Sequence, residues 1–336
     1  ATLQLMLRVL HVGLGPLGLR ILADLSQRRL GVVVAAVDPA PTLAGRSLRS
    51  LVPEVTAAGD VPIAATLDAV ATKDVDLAIV TTSSDLAACA PTFRALLERG
   101  LTVISTCEEL AWPRLRHPEL ADELDALASS RGGRLLGTGV NPGFLMDTLP
   151  TVVSTLCARV SAVRLYRIQD AAPRRVPFQK KIGAVMRPAE FERAVAAGAI
   201  RHVGLGESLH FVAHWLGMPI ERWEETISPV LAEQPLTCGL GPIAVGEVRG
   251  VRQEARGWSA GVVALELIFQ AAIAQEDPHD RVVLEGEPPI DLVIRGGVHG
   301  DIATSAVVLN AARGLLAAAP GLHTMATISL RGCARP

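Results

Sequence analysis

The sequence predicts an α/β protein: an N-terminal doubly wound parallel sheet, followed by an α+β domain with an open, mainly antiparallel sheet. Three observations predict it. Up to about Asn141, short and continuously apolar runs alternate with helical stretches, the pattern of strands buried on both faces by crossover helices. Beyond Asn141 the apolar runs are longer, alternate more with polar residues and have few helices between them. The chain is 336 residues long and 49% apolar, too long for one ordinary core and too apolar for disorder. With aromatics at only 3%, Ala, Val and Leu must do the packing.

In the first half, strands are expected at Leu7 to Val12, Gly31 to Val37, Asp76 to Thr81, Leu101 to Ser105 and Arg134 to Gly137. Helical spacing runs from Leu17 to Gln27, Asp85 to Arg99 and Pro118 to Ser130. In the second half, strands are expected at Ala162 to Gln169, Arg222 to Leu231, Val245 to Glu254, Val262 to Ile273 and Ile290 to Ile294, with helices at Leu149 to Ala158, Pro188 to Ala197 and Glu207 to Leu216. A last helix, Asp301 to Ala319, stops at Pro320-Gly321 and is expected to return to the first domain. The expected domains are therefore 1–145, 146–300 and a C-terminal helix and tail at 301–336. The stretch Ala171 to Lys181 is basic and broken by Pro173 and Pro177, and reads as a loop.

Charge excludes one class of partner. The 32 basic and 34 acidic residues give a net charge of -2, without the basic excess of a nucleic-acid surface. Ala1 to Met6 lacks the features of a signal peptide. The apolar stretch Gly261 to Ala274 carries Glu266 and is too short to span a membrane. The expectation is a cytoplasmic protein with no membrane partner. Cys89, Cys107, Cys157, Cys238 and Cys333 are dispersed and odd in number, which suits reduced thiols and removes a zinc-finger reading; no metal is expected.

Residues 11 to 18 read His-Val-Gly-Leu-Gly-Pro-Leu-Gly. The spacing alone is weak, but here it follows a strand and opens a helix. That context makes Gly13, Leu14, Gly15, Pro16, Leu17 and Gly18 the pyrophosphate loop of a Rossmann dinucleotide site. Gly13 makes the turn, Gly15 admits the pyrophosphate and Gly18 lets helix and strand pack closely. Pro16 suits the first helical turn, whose N–H groups face the phosphates. Asp38 ends the second strand and suits the ribose hydroxyls of NAD; it also suits a turn before Pro39. Arg46 lies further along and suits the 2′-phosphate of NADP. The two leave NAD and NADP both open.

Ligands bind beyond the carboxyl ends of strands in open α/β sheets. Thr81, Thr82 and Ser83 follow one such strand, where they can line the nicotinamide ribose or belong to a helix N-cap cluster ahead of Asp85. Ser105-Thr106-Cys107-Glu108-Glu109-Leu110 follows another. Thr106 and Cys107 are candidate cofactor contacts. Adjacent side chains point in different directions, so Glu108 and Glu109 cannot both face one cleft. Glu108 is the candidate catalytic acid; both can equally be helix-start acids. Gly137-Thr138-Gly139-Val140-Asn141-Pro142-Gly143-Phe144 reads as a tight loop at the expected domain boundary, with Asn141 a candidate cofactor contact.

The segments 105–110 and 137–144, with His202-Val203-Gly204-Leu205-Gly206-Glu207-Ser208, Gly297-Val298-His299-Gly300-Asp301-Ile302-Ala303-Thr304 and Ala319-Pro320-Gly321-Leu322, make the sequence similar to the 2,4-diaminopentanoate dehydrogenase family, whose relatives include the native amine dehydrogenases. The resemblance runs nearly end to end. It implies a Rossmann domain followed by a substrate domain like that of dihydrodipicolinate reductases, a homodimer, and NAD(P)-dependent oxidative deamination, reversible as reductive amination with ammonia. It places the family's glutamate at Glu108 and pocket residues near Asn141, Phe144, Tyr166, His202 and Thr304. The His-His plus Lys signature of dihydrodipicolinate reductases is missing.

A carboxylate suits this chemistry because it can stabilise an iminium cation and carry protons as ammonia adds and water leaves. An amino-acid substrate would also need a cation for its carboxylate; Arg174, Arg175, Lys180 and Lys181 are candidates, or a solvated basic loop. A simple amine or ketone would need only an apolar pocket, to which Phe144, Leu145 and Met146 are suited if they are not core. A reductase of another imine or carbonyl, and a dinucleotide sensor without turnover, stay open as alternatives.

Overall fold

The structure is a computed structural model that describes residues 6–333; residues 1–5, on which the reading of the N-terminus mostly rests, lie outside the described residues. The chain forms two compact units. One runs to Phe144 and resumes at His299; the other is Leu145–Val298.

The first unit opens with β1 (Leu7–Val12), α1 (Pro16–Gln27), β2 (Gly31–Val37), β3 (Ile63–Ala64) and β4 (Leu77–Val80). It continues through α2 (Leu86–Leu97), β5 (Thr102–Ser105), α3 (Pro118–Arg131) and β6 (Arg134–Gly137). The second unit holds α4 (Thr148–Ser154), β7 (Arg159–Asp170), α5 (Val176–Lys181), α6 (Pro188–Ala196), α7 (Leu205–Trp215) and β8 (Arg222–Leu231). Then come β9 (Leu236–Cys238), β10 (Gly241–Ile243), β11 (Val248–Ser259), β12 (Val262–Ala272), β13 (His279–Glu287) and β14 (Ile290–Arg295). The chain closes on the first unit with α8 (Gly300–Leu316) and β15 (Gly321–His323).

The first sheet has the order β15-β6-β5-β4-β1-β2-β3, and its strand pairs are parallel. Successive strand residues serve opposite faces. Val9, Ile79, Ile104 and Leu136 pack with Ile21, Leu22 and Leu25 of α1 and Val308, Leu309 and Leu315 of α8. Leu10, Val80, Val103 and Leu135 pack with Phe93 and Leu96 of α2 and Leu124 of α3. Both faces are thus covered, as the doubly wound pattern requires, and the C-terminal helix packs beside α1 as expected. The order reverses between β1 and β4, which puts a crevice beyond their carboxyl ends. Among the described residues no helix is long and apolar enough to cross a membrane.

The second sheet has the order β14-β13-β7-β12-β11-β8. It is antiparallel except where β7 and β12 run parallel. The strand β13 was not among the sequence expectations. Its alternation is interrupted by charge at Asp280, and Asp280 is buried against Arg167 of β7 at 2.9 Å. The expected loop at Ala171 to Lys181 is corrected: Pro177 sits in the first turn of α5, where proline starts a helix rather than breaking it. The helix expected at Leu149 to Ala158 is the shorter α4, entered at Asp147, whose carboxylate accepts from Thr148 N.

Arg167 and Asp280 have side chains only 3% and 5% exposed. Burial pushes the arginine down and the aspartate up, and their mutual attraction opposes both. The pair grips one segment: Asp280 accepts from Val298 N, while Arg167 and Gln169 donate to Val298 O. Arg167→Leu would leave Asp280 buried without its cation. The expected loss is about 3–5 kcal/mol of unfolding free energy, measured by urea denaturation; a loss under about 1 kcal/mol would be that of a solvent-exposed pair.

Candidate active site

The glycine loop starts from β1. Gly13 has φ +96, and a Cβ there would lie 2.9 Å from the carbonyl of Thr81. A Cβ on Gly18 would lie 2.2 Å from the Gly13 carbonyl oxygen. Gly15 differs: nothing lies within 4 Å of a Cβ built on it. The protein's own packing therefore explains Gly13 and Gly18 and leaves Gly15 beside open space. Pro16 starts α1, and no side chain caps that helix, so its first-turn N–H groups are presented for an anion. The loop residues fit a dinucleotide pyrophosphate.

Asp38 sits at the end of β2 and holds two backbone groups. Its Oδ2 accepts from Leu14 N at 2.7 Å and its Oδ1 from Ala40 N at 2.9 Å. The ribose reading and the turn reading are compatible, because a carboxylate has about four acceptor sites. Arg46 is exposed on the following loop and donates to Ser50 Oγ at 3.3 Å.

Thr81 turns inward. Its hydroxyl donates to the Gly13 carbonyl at 2.7 Å, so it shapes the glycine loop from beneath. Thr82 and Ser83 are exposed, and Asp85 caps α2 by accepting from Ala88 N. His11 also lies beneath the loop and is fully buried. Desolvation pushes its imidazole down from 6.5 to about 4, so it is neutral near pH 7.

The turn after β5 is stapled to the turn after β4. Thr106 N and Ser105 Oγ both donate to Val80 O. Glu109 N and the Cys107 thiol both donate to Ser84 O. Within this turn the two acids part. Glu109 accepts from Leu86 N at 2.9 Å, anchoring the start of α2, and lies 3.1 Å from His117 Nε2. Glu108 is half-buried one residue earlier. Cys107 is 1% exposed and shares a hydrogen bond with Cys89 that, with burial, pushes its thiol up, the opposite of an activated nucleophile.

The loop after β6 continues the crevice wall. Thr138 N donates to Ser105 O, and Val140 N donates to Thr304 Oγ1 at 3.2 Å. Asn141 is buried. Gly143, at φ +127, leaves no room for a side chain against Gly139. Phe144 packs on the first unit's core, and Leu145 and Met146 are buried; the core reading holds for the last two. Glu108, Asn141 and Thr304 thus belong to elements tied together in the first unit.

In the second unit, His202 and Tyr166 are not brought together. The His202 ring stacks on Phe269 of β12 at 4.2 Å. Tyr166 pairs across the sheet with Ile268, so it points to the opposite face, with Arg281 above its ring. His202 lines a pocket with Phe178, Lys181, Arg201 and Phe269. Although part of its surface is accessible, burial and then the charges of Lys181, Arg167 and Arg201 hold it well below the usual histidine range. Gln253 fixes its backbone, accepting from His202 N and donating to His202 O, each at 2.8 Å.

Several of these residues carried no sequence signal. Gln253 and Arg167 lie in strands as polar interruptions of an apolar face. Asp147 follows an apolar run, and its buried carboxylate accepts from Ser208 Oγ at 2.9 Å. His11 reads as one more strand residue.

The sequence model of the family described as 2,4-diaminopentanoate dehydrogenase C-terminal domain matches residues 144–334, more than half of the chain. The 2,4-diaminopentanoate dehydrogenase of Acetoanaerobium sticklandii is 29% identical over 327 residues, covering 95% of this chain and 92% of that protein. An amine dehydrogenase of Streptomyces virginiae is 24% identical over 235 residues, 64% of this chain and 65% of that one. The solved amine dehydrogenase of Mycobacterium smegmatis shares the fold, with a TM-score of 0.84 over 98% of each chain at 22% identity.

The glycines yield a discriminating test. Gly18→Ala should lower the melting temperature by at least about 4 °C, from a clash that costs about 2–3 kcal/mol. Gly15→Ala should leave it within about 2 °C while weakening NADH or NADPH binding. Equal thermal effects would mean that Gly15 is constrained by the protein rather than by a ligand.

Proposed function

The chain belongs to the 2,4-diaminopentanoate dehydrogenase C-terminal domain family, and from that premise we propose that it is an NAD(P)-dependent amine dehydrogenase with Glu108 as its catalytic acid–base. It deaminates an amine oxidatively and, in reverse, aminates a ketone or aldehyde with ammonia. A bound nicotinamide dinucleotide supplies the hydride chemistry. The working unit is a homodimer, as the resemblance implies, and the dispersed, odd-numbered cysteines suit the reducing cytoplasm.

The observation that carries the assignment is the division of labour after β5. Glu109 is committed to Leu86 N and His117, which supports Glu108 as the acid of this turn that meets substrate. The turn is also held to the loop that holds Gly13, through Val80, Thr81 and Ser84, so Glu108 is supported by the same framework as the pyrophosphate loop.

Each residue then has a task. Gly13, Leu14, Gly15, Pro16, Leu17 and Gly18 cradle the pyrophosphate. Asp38 and Arg46 face the adenosine end; Asp38 retains acceptor capacity for ribose hydroxyls, and Arg46 stands on the loop beyond it, which supports use of either dinucleotide. Thr81, Thr82, Ser83, Thr106, Cys107 and Asn141 surround the nicotinamide end, with Thr81 and Cys107 acting through the backbone they hold. Glu108 accepts the N–H of an iminium, takes a proton from an ammonium substrate, and returns a proton to departing water in the other direction. Stabilising that cation and carrying the proton is worth about 10²–10⁴-fold in rate. Of the residues that the resemblance assigns to the substrate pocket, Phe144 and Thr304 belong to the first unit and His202 to the second. Tyr166, the other residue that the resemblance places near the pocket, lies on the opposite sheet face from His202.

Two outcomes are expected. Oxidation of NADH or NADPH with ketones, aldehydes and keto acids should require ammonium; oxidation independent of ammonium marks an alcohol-forming reductase, and binding without turnover marks a sensor. Glu108→Gln should cost about 10²–10⁴-fold in kcat while leaving dinucleotide binding intact. Glu109→Gln, which keeps an acceptor for Leu86 N, should cost under about 10-fold. Reversed effects would move the role to Glu109.

A further inference from the structure

His11 stands in β1 between β2 and β4, a central place in a parallel sheet where an aliphatic residue packs without penalty. It is 0% exposed. Its Nε2 lies 3.1 Å from Gly13 O and 3.2 Å from Thr81 Oγ1. The Thr81 hydroxyl already donates to Gly13 O, so both atoms face the imidazole as acceptors and Nε2 carries the ring proton. Nδ1 is buried with no hydrogen-bond partner among the described residues. A buried, half-satisfied imidazole is unfavourable for the core alone. What the chain obtains from it is a second hold on the Gly13 carbonyl.

The other end of that same peptide unit is Leu14 N, and it donates to Asp38 Oδ2 at 2.7 Å. The Gly13–Leu14 peptide plane is therefore fixed on both sides, by His11 and Thr81 at its carbonyl and by Asp38 at its N–H. The next residue is Gly15, beside which the space is open. Gly18 closes over the same point: a Cβ there would sit 2.8 Å from His11 Nε2 and 2.7 Å from Thr81 Oγ1.

We propose that His11 is a positioning residue for the dinucleotide, setting through the Gly13 carbonyl the peptide plane from which the pyrophosphate loop departs. The inference rests on the dinucleotide reading above. His11 does not touch the ligand; it acts through Gly13, jointly with Thr81.

The test uses the full chain and measures Kd for NADH and NADPH by fluorescence, beside far-UV circular dichroism and steady-state kinetics. His11→Leu removes the donor and keeps an apolar side chain. It should raise the dinucleotide Kd about 3- to 10-fold, the worth of one hydrogen bond, with the dinucleotide KM rising in step and kcat moving less. His11→Gln, whose amide nitrogen reaches about as far as Nε2, should restore Kd to within about threefold. Thr81→Val should raise Kd in the same way and decides the matter if His11→Leu does not fold. An unchanged Kd in folded His11→Leu or in Thr81→Val overturns the inference. So does a His11→Gln variant as weak as His11→Leu, which would mark His11 as packing. If the wild-type chain binds neither dinucleotide, the dinucleotide reading itself falls; if it binds and the variants match it, only the role of His11 falls.

Discussion

One peptide plane, Gly13–Leu14, organises the first unit's crevice. Three side chains from three strand ends converge on it: His11 from β1, Thr81 after β4 and Asp38 after β2. The parallel sheet makes this convergence possible, because its strands bring their carboxyl ends to one edge and the order reverses between β1 and β4. A turn held in this way needs glycine at 13 for its positive φ and at 18 for close approach. With both spent on the protein's own geometry, Gly15 is the glycine of the three that the protein's own packing does not require.

The same edge carries the proposed catalytic acid. The turn after β5 is not free to place Glu108 by itself; it is stapled to the turn after β4 through Val80 and Ser84. A carboxylate that meets a cation must be held before the cation arrives, or reorganisation erodes the stabilisation. Glu109 belongs to that framework: its hydrogen bond to Leu86 N ties the turn to α2. Two neighbouring acids therefore carry different loads, one on the scaffold and one proposed for the substrate.

Much of this was legible in the sequence, for physical reasons. The strands of the first sheet are apolar on both faces, so their runs stand out, and the glycine spacing gains meaning from the strand before it and the helix after it. Adjacent acids cannot share a direction, which already separated Glu108 from Glu109. What was hidden depends on tertiary pairing. His11 reads as a strand residue until Thr81, distant in sequence, is folded against it. Asp280 interrupts the alternation of β13 because its partner is Arg167, and no local pattern reports a charge satisfied by another strand. Pro177 reads as a breaker in the sequence, because sequence alone does not say whether a proline falls inside a helix or starts one. Tyr166 and His202 both suit a pocket by resemblance, but only strand register tells which face each serves.

The proposed reaction delivers hydride to a carbon that bears nitrogen. The direct measurement supplies the chain with ammonium, the carbonyl compound that gives turnover, and NADH or NADPH deuterated at the transferable ring carbon. The label is then located in the product by NMR. Deuterium is expected on the carbon carrying the new amino group, with no labelled product when ammonium is omitted. Deuterium on a carbinol carbon, formed equally with and without ammonium, would contradict the proposed reaction.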